Sequence, residues 1–328
     1  MIDGTVLVAI GASAGGVEAL RTLMAKLPAD VQAAVLIVLH IPAAGESVLP
    51  EILDRVGPLH VERTENGMEI KPGRVLVAPP DYHMTVAETH VQLDRGARVN
   101  GHRPAIDPLF ASAANWYGPH AMGIVLSGML DDGVAGLLRL SQVGAVTVAQ
   151  DPNEAAYPAL PRAAIERGGA QKVLVLDDIA NLISSSSDSH AMTLREVVAM
   201  QGREDEVADR QISPFTCPNC HGTLWEITDP AGTQFRCRTG HTFSVDSLVQ
   251  VSSEALDDAL WAGYRALLEQ ADLCRRMSRR MESVGNARTS DRYDKLARDA
   301  ERRAWVLHEG LVVHEDSSEV NAEGGRAG

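Results

Sequence analysis

The 328-residue chain has only 4 cysteines and no long apolar run, and each shortage excludes a class of protein. A membrane-spanning helix needs about 20 predominantly apolar residues, and no stretch here approaches that. The apolar start Thr5–Ile10 is too short for a signal peptide and lacks a basic flank. Basic residues are also outnumbered, 30 against 44 acidic ones, and the formal charge of -14 repels phosphate backbones. These shortages predict a cytoplasmic protein that neither inserts in a membrane nor binds nucleic acid. Of the cysteines, Cys217, Cys220 and Cys237 crowd together while Cys274 stands alone, a distribution that suits a metal site in a reducing compartment better than a disulfide framework.

What is present reads as an α/β protein with additions. Val- and Ile-rich runs at Thr5–Ile10, Val35–Leu39, Arg74–Ala78, Met122–Ser127, Ala145–Ala149 and Val173–Leu176 alternate with helical patterns at Val17–Leu27, Ser47–Arg55, Ile106–Asn115 and Val134–Gln142. Continuous apolar strands of this kind are buried on both faces, which predicts a doubly wound, mainly parallel sheet with helices on both faces. Short alternating pieces at Met84–Val86 and His90–Leu93 predict an inserted hairpin. This domain spans residues 1–183. A serine-rich linker, with a short helix expected at Thr193–Met200, fills 184–212. A small β module follows at 213–250, an antiparallel helical hairpin at 251–315 and a disordered tail at 316–328.

The first strand runs through Gly11-Ala12-Ser13-Ala14-Gly15-Gly16 into a helix. A dinucleotide site would use such glycines to admit a pyrophosphate, but Ser13 stands where the close-approach glycine belongs, and the second strand ends in His40 instead of an acidic residue. The same residues fit a G-x-S-x-G nucleophile turn. Serine needs an imidazole within reach, and His40 closes the neighbouring strand. A third group must orient the imidazole, and Asp131 or Asp132 follows the strand Met122–Ser127 at the same sheet edge. Each has a plainer alternative: Ser13 as a helix N-cap, His40 as a structural residue, either aspartate as a cap of the next helix.

Six ordered blocks resemble the catalytic domain of the CheB-type protein-glutamate methylesterases. They are Ile10–Gly16, Val38–Pro42, Val77–Met84, His102–Asp107, Leu126–Gly133, and Ala149–Asp151 followed by Ala159–Arg162. The resemblance implies a hydrolase that removes methyl groups from glutamate γ-methyl esters of methyl-accepting chemotaxis-type receptors, and in some members deamidates glutamines, with no cofactor for catalysis. By position Ser13 matches the nucleophile, His40 the base and Asp132 the orienting carboxylate. The resemblance further points to Met129 and the turn at Ala14 as oxyanion donors, with His102 and Arg103 as candidates for lining the substrate cleft. Two departures stand out: Ala14 where the family often has threonine, and Leu130-Asp131 where it has Gly-Asn. The chain also starts at the first catalytic strand, so the regulatory receiver domain of many relatives is expected to be missing.

Cys217-Pro218-Asn219-Cys220, sixteen residues, and then Cys237-Arg238-Thr239-Gly240-His241 supply two knuckle-like ligand pairs. Three thiolates and an imidazole suit a closed tetrahedral structural zinc, with His221 a strained second candidate. The helical hairpin is locally basic, with 11 Arg and Lys against 7 Asp and Glu between Arg265 and Arg303. Its unpartnered apolar stripes favour docking to a receptor, a scaffold or a second copy. A signalling adaptor that has kept the fold and lost catalysis is the competing expectation.

Overall fold

The computed structural model describes residues 6–186, 209–229 and 232–323. The short helix expected at Thr193–Met200 and most of the serine-rich linker lie outside the described residues. No helix among the described residues is long and apolar enough to cross a membrane.

In chain order the α/β part consists of β1 (Val6–Ala12), α1 (Gly16–Lys26), β2 (Ala33–Leu39), α2 (Leu49–Asp54), β3 (His60–Arg63), β4 (Arg74–Val77), the hairpin β5 (His83–Ala87) and β6 (His90–Asp94), α3 (Ile106–Tyr117), β7 (Ala121–Val125), α4 (Val134–Gln142), β8 (Val146–Gln150), α5 (Ala159–Glu166), β9 (Lys172–Leu174) and α6 (Leu176–Ser185). Seven strands form one sheet in the order β3-β4-β2-β1-β7-β8-β9, with every pair parallel. All seven residues of β2 and all five of β7 are buried, as strands covered on both faces must be. One apolar layer joins the sheet to α1, α2 and α6. The other joins it to α3, α4, α5 and the β5–β6 hairpin.

Strand order reverses at β1, which has β2 on one side and β7 on the other. The carboxyl ends of these three strands therefore open onto one crevice, where doubly wound sheets place their sites. The edge strand β3 had no sequence signal because only Val61 within it is buried.

A second, antiparallel sheet contains β10 (Asp209–Thr216), β11 (Thr223–Asp229), β12 (Gly232–Cys237) and β13 (Thr242–Ser244). It begins four residues earlier than Ser213, because Asp209–Ile212 pair with Trp225–Thr228 despite their polarity. Helix α7 (Val245–Ser283) starts directly after β13, ahead of the expected residue 251. The chain divides into two compact units after Val249.

Within the second unit, α7 and α8 (Ala287–Glu323) form the expected antiparallel pair around Gly285, whose φ of 73° turns the chain. Arg275 clamps Glu301 with two bonds of 2.7 Å, and Ser278 meets Ser290 at 3.0 Å. The helix continues through Glu323, past the tail boundary expected at 316, since the sequence offers no glycine or proline there before Gly324.

Candidate active site

β1 leads through a tight turn into α1. The N-cap of α1 is Gly15, with φ 70° and no side-chain cap hydrogen bond, so Ser13 is not spent on capping. A β-carbon at Gly15 would lie 2.6 Å from Ser127 Oγ, and one at Gly11 would lie 2.3 Å from Ile106 Cγ2. Both glycines are required by close approach, and at Gly15 also by the left-handed backbone. Ser127 braces the turn: its hydroxyl donates to the Ala14 carbonyl (2.8 Å) and accepts from the Tyr157 amide (2.9 Å).

The Ser13 side chain consequently points at His40, whose Nδ1 lies 3.2 Å from Ser13 Oγ. On the far side of the ring, Nε2 lies 2.7 Å from Asp132 Oδ2. A carboxylate only accepts, so the ring proton sits on Nε2 and the Nδ1 lone pair faces the serine hydroxyl. The nitrogens are thus used in the opposite sense to the serine-protease arrangement, in which Nε2 meets the serine.

Asp132 is buried, its side chain 2% exposed. Burial opposes its charge, but the hydrogen bonds from His40 and the Ile106 amide help to hold the carboxyl below its ordinary range. Its Oδ2 also accepts from the Ile106 N–H (2.6 Å), and its Oδ1 accepts from Asn100 Nδ2 (2.8 Å). Of the two aspartates the sequence left open, Asp131 faces elsewhere, accepting from Arg167 (2.6 Å), Ser244 Oγ (2.7 Å) and Ser247 Oγ (3.1 Å). Neither caps α4, whose N-cap is Gly133 without a side-chain bond.

The other sequence candidates divide. His102 stacks on His40 with ring centroids 3.7 Å apart and planes 14° from parallel. Burial, then the neighbouring His40, lower its pKa to about 4, so it packs as a neutral ring. Arg103 is committed to its own loop: its Nε donates to Asp81 (3.0 Å) and its Nη1 to the carbonyls of Arg95 (3.3 Å) and Gly96 (2.6 Å). Met129 is exposed beside the site. The Ser13 amide already donates to the Ser127 carbonyl (3.0 Å).

Sequence reasoning missed Asn100 and Asp107. The Asn100 amide donates to both Asp132 and Asp107 Oδ2 (3.0 Å), and Asp107 Oδ1 accepts from the Gly136 amide (2.7 Å). Burial, then the charge of Asp132, push the Asp107 carboxyl above the ordinary range. The only signal for Asn100 was the Asn100-Gly101 dipeptide, a turn marker that fits its φ of 51°.

In the small sheet, one ligand atom each from Cys217, Cys220, Cys237 and His241 lies within 4.8 Å of the others. Cys220 Sγ is 3.6 Å from Cys237 Sγ, and His241 Nδ1 is 3.6 Å from Cys217 Sγ and 3.5 Å from Cys237 Sγ. Tetrahedral zinc with bonds of about 2.3 Å to sulfur and about 2.0 Å to nitrogen has edges of roughly 3.5–3.8 Å. The four residues therefore fit such an ion, and His221 is outside the cluster.

A family model described as CheB methylesterase matches residues 8–183. A protein-glutamate methylesterase/protein-glutamine glutaminase of Bdellovibrio bacteriovorus is 40% identical over 178 residues, covering 53% of this chain and 50% of the relative. One of Pseudomonas aeruginosa is 43% identical over 178 residues, covering 53% and 51%. The chain thus spans about half the length of the curated relatives it matches. Among solved structures, the Thermotoga maritima CheB methylesterase catalytic domain superposes with a TM-score of 0.53 at 31% identity, covering 55% of this chain and 97% of that one.

Proposed function

Because the chain belongs to the CheB methylesterase family, we propose that it is a serine hydrolase acting on glutamate γ-methyl esters of chemotaxis-type receptors, with Ser13 as nucleophile, His40 as base and Asp132 as the orienting carboxylate. The observation that carries the proposal is the continuous relay from Ser13 Oγ through both nitrogens of His40 to Asp132 Oδ2. His40 Nδ1 takes the hydroxyl proton as Ser13 Oγ attacks the ester carbonyl. The tetrahedral oxyanion is held by the amides of Met129 and Ala14. The imidazolium, steadied by Asp132, returns the proton to the departing methoxide, and methanol leaves. Water then attacks the acyl-enzyme with the same imidazole as base, releasing glutamate.

An amide in place of the ester passes through the same states with ammonia as leaving group. The double name of the relatives therefore extends the proposal to receptor glutamines. His102, flat against His40, fixes the plane of the base.

We assign a structural zinc to Cys217, Cys220, Cys237 and His241. Four protein ligands leave no open position, so the metal organises the small sheet and takes no part in the reaction. The reaction is assigned to the cytoplasm, whose reducing conditions suit the free thiols. The helical pair is assigned to docking on a receptor, a scaffold or a second copy, supported by exposed Leu268, Leu273, Trp305 and Val306. The test is methanol release from a methylated receptor fragment: the full chain releases it and Ser13→Ala does not. Undiminished release by Ser13→Ala refutes the assignment.

A further inference from the structure

The metal cluster runs directly into contacts with the buried carboxylate of the active site. His241 is the last of the four ligands, and the knuckle it closes is tied by Cys237 N–H to His241 O (3.0 Å) and Gly240 N–H to Cys237 O (3.0 Å). The next residue, Thr242, accepts at its carbonyl from the Asn100 backbone N–H (2.8 Å) and donates its own N–H to the Arg98 carbonyl (3.3 Å), bridging in parallel to Val99. Two residues further, the Ser244 amide donates to Asn100 Oδ1 (2.8 Å). The two ends of the Asn100 side chain thus serve two masters: the oxygen is held by the strand after the metal, and the nitrogen holds Asp132 Oδ1 (2.8 Å).

A second set of contacts runs in parallel. Ser244 and Ser247 donate to Asp131, and Arg167 bridges Asp131 to Asp246. The Asp131 carboxylate thus faces the segment that follows the small sheet. Around these bonds the seam is open, a cleft of about 560 Å³ between Pro108, Leu138, Thr242 and Val245. Phe243 is the buried apolar anchor of 242–247, and the polar contacts fix how that segment meets Asn100 and Asp131. The path of that segment depends on the knuckle, and a sheet of this size has too little core to hold its shape without metal.

We infer that the Cys217, Cys220, Cys237 and His241 cluster is a metal-dependent positioning element for the active site, acting through Asn100 on Asp132. With metal bound, Asn100 is fixed and Asp132 keeps all three of its donors. Without metal, the Asn100 oxygen loses its anchor and the hold on Asp132 Oδ1 is lost with it. Asn100 is a positioning residue here, since it reaches the reacting atoms only through Asp132 and His40. The inference rests on the assignment of zinc to the cluster and of Ser13, His40 and Asp132 to catalysis.

The test uses the full chain and a fluorophosphonate probe, which labels an activated serine without any receptor. Chelation of zinc, with its loss checked by elemental analysis, is expected to lower the maximal labelling rate roughly tenfold, the effect of one lost hydrogen bond to a charged group, with unchanged apparent probe affinity. His241→Ala does the same, and His241→Cys, which restores four zinc ligands, recovers the rate. Asn100→Ala starts at the lowered rate and no longer responds to chelation. An equal chelation factor in wild type and Asn100→Ala overturns the inference, as does a wild-type rate indifferent to verified zinc loss.

The His40 Nε2–H resonance, followed by NMR in histidine-labelled protein, reads the same coupling without turnover. Zinc removal shifts it in wild type and leaves it in place in Asn100→Ala. A chain that never labels at Ser13 but whose resonance follows zinc keeps the coupling and removes the nucleophile assignment.

Discussion

Asp132→Asn preserves the volume of a buried side chain and changes only what it offers to its neighbours. Three N–H donors converge on the carboxylate: His40 Nε2 at 2.7 Å, the Ile106 amide at 2.6 Å and Asn100 Nδ2 at 2.8 Å. Asparagine has one acceptor and one donor group for three donors. Turned one way, its NH₂ opposes Asn100 Nδ2, which cannot flip because Asn100 Oδ1 already accepts from Ser244. Turned the other way, it opposes the Ile106 amide and forces His40 to present a lone pair at Nε2. The ring proton then moves to Nδ1, against Ser13 Oγ, and the base can no longer take the serine proton. The same tautomer trap costs a serine-protease triad about 10⁴-fold, or roughly 5 kcal/mol of barrier. The expected result is therefore a fall of about four orders of magnitude in fluorophosphonate labelling and in methanol release, with the protein still folded by circular dichroism. A loss smaller than tenfold would refute this tautomer trap.

Asp107 makes stability depend on pH in a definite direction. Its folded pKa is raised above the unfolded value, so its contribution is full below the ordinary carboxylate range and is lost as pH rises from about 4 towards the folded value. Chemical unfolding at pH 5 and pH 8 should show wild type losing more stability over that interval than Asp107→Asn. An equal or larger loss in the variant contradicts the raised pKa of Asp107. Gly15→Ala forces a side chain into φ 70° and onto Ser127 Oγ, which braces the turn. The left-handed backbone and the overlap together should cost about 3 kcal/mol in denaturant unfolding, and a change under 0.5 kcal/mol would be inconsistent with the turn as described.

The residues of the relay were legible in the sequence because parallel α/β topology concentrates strand carboxyl ends at one edge. Ser13, His40 and the Asp131-Asp132 pair each sit just after a recognisable buried strand, so their convergence needed no knowledge of side-chain contacts. The clustering of Cys217, Cys220, Cys237 and His241 was legible for a similar reason, since paired knuckle spacing is a local property. The support of the site was not legible. Asn100 lies 32 residues from Asp132 and 144 from Ser244, and no local pattern announces bonds over such separations. The stacking of His102 on His40 and the bond from Arg103 to Asp81 are likewise products of tertiary folding. β3 and the start of β10 escaped notice because edge strands with few buried residues carry little hydrophobic periodicity.

The most direct measurement is mass-spectrometric mapping of the covalent adduct formed when the full chain reacts with a fluorophosphonate. A single adduct on Ser13, abolished by His40→Ala, is the predicted result. An adduct on another residue, or undiminished modification of Ser13 in His40→Ala, would contradict the account.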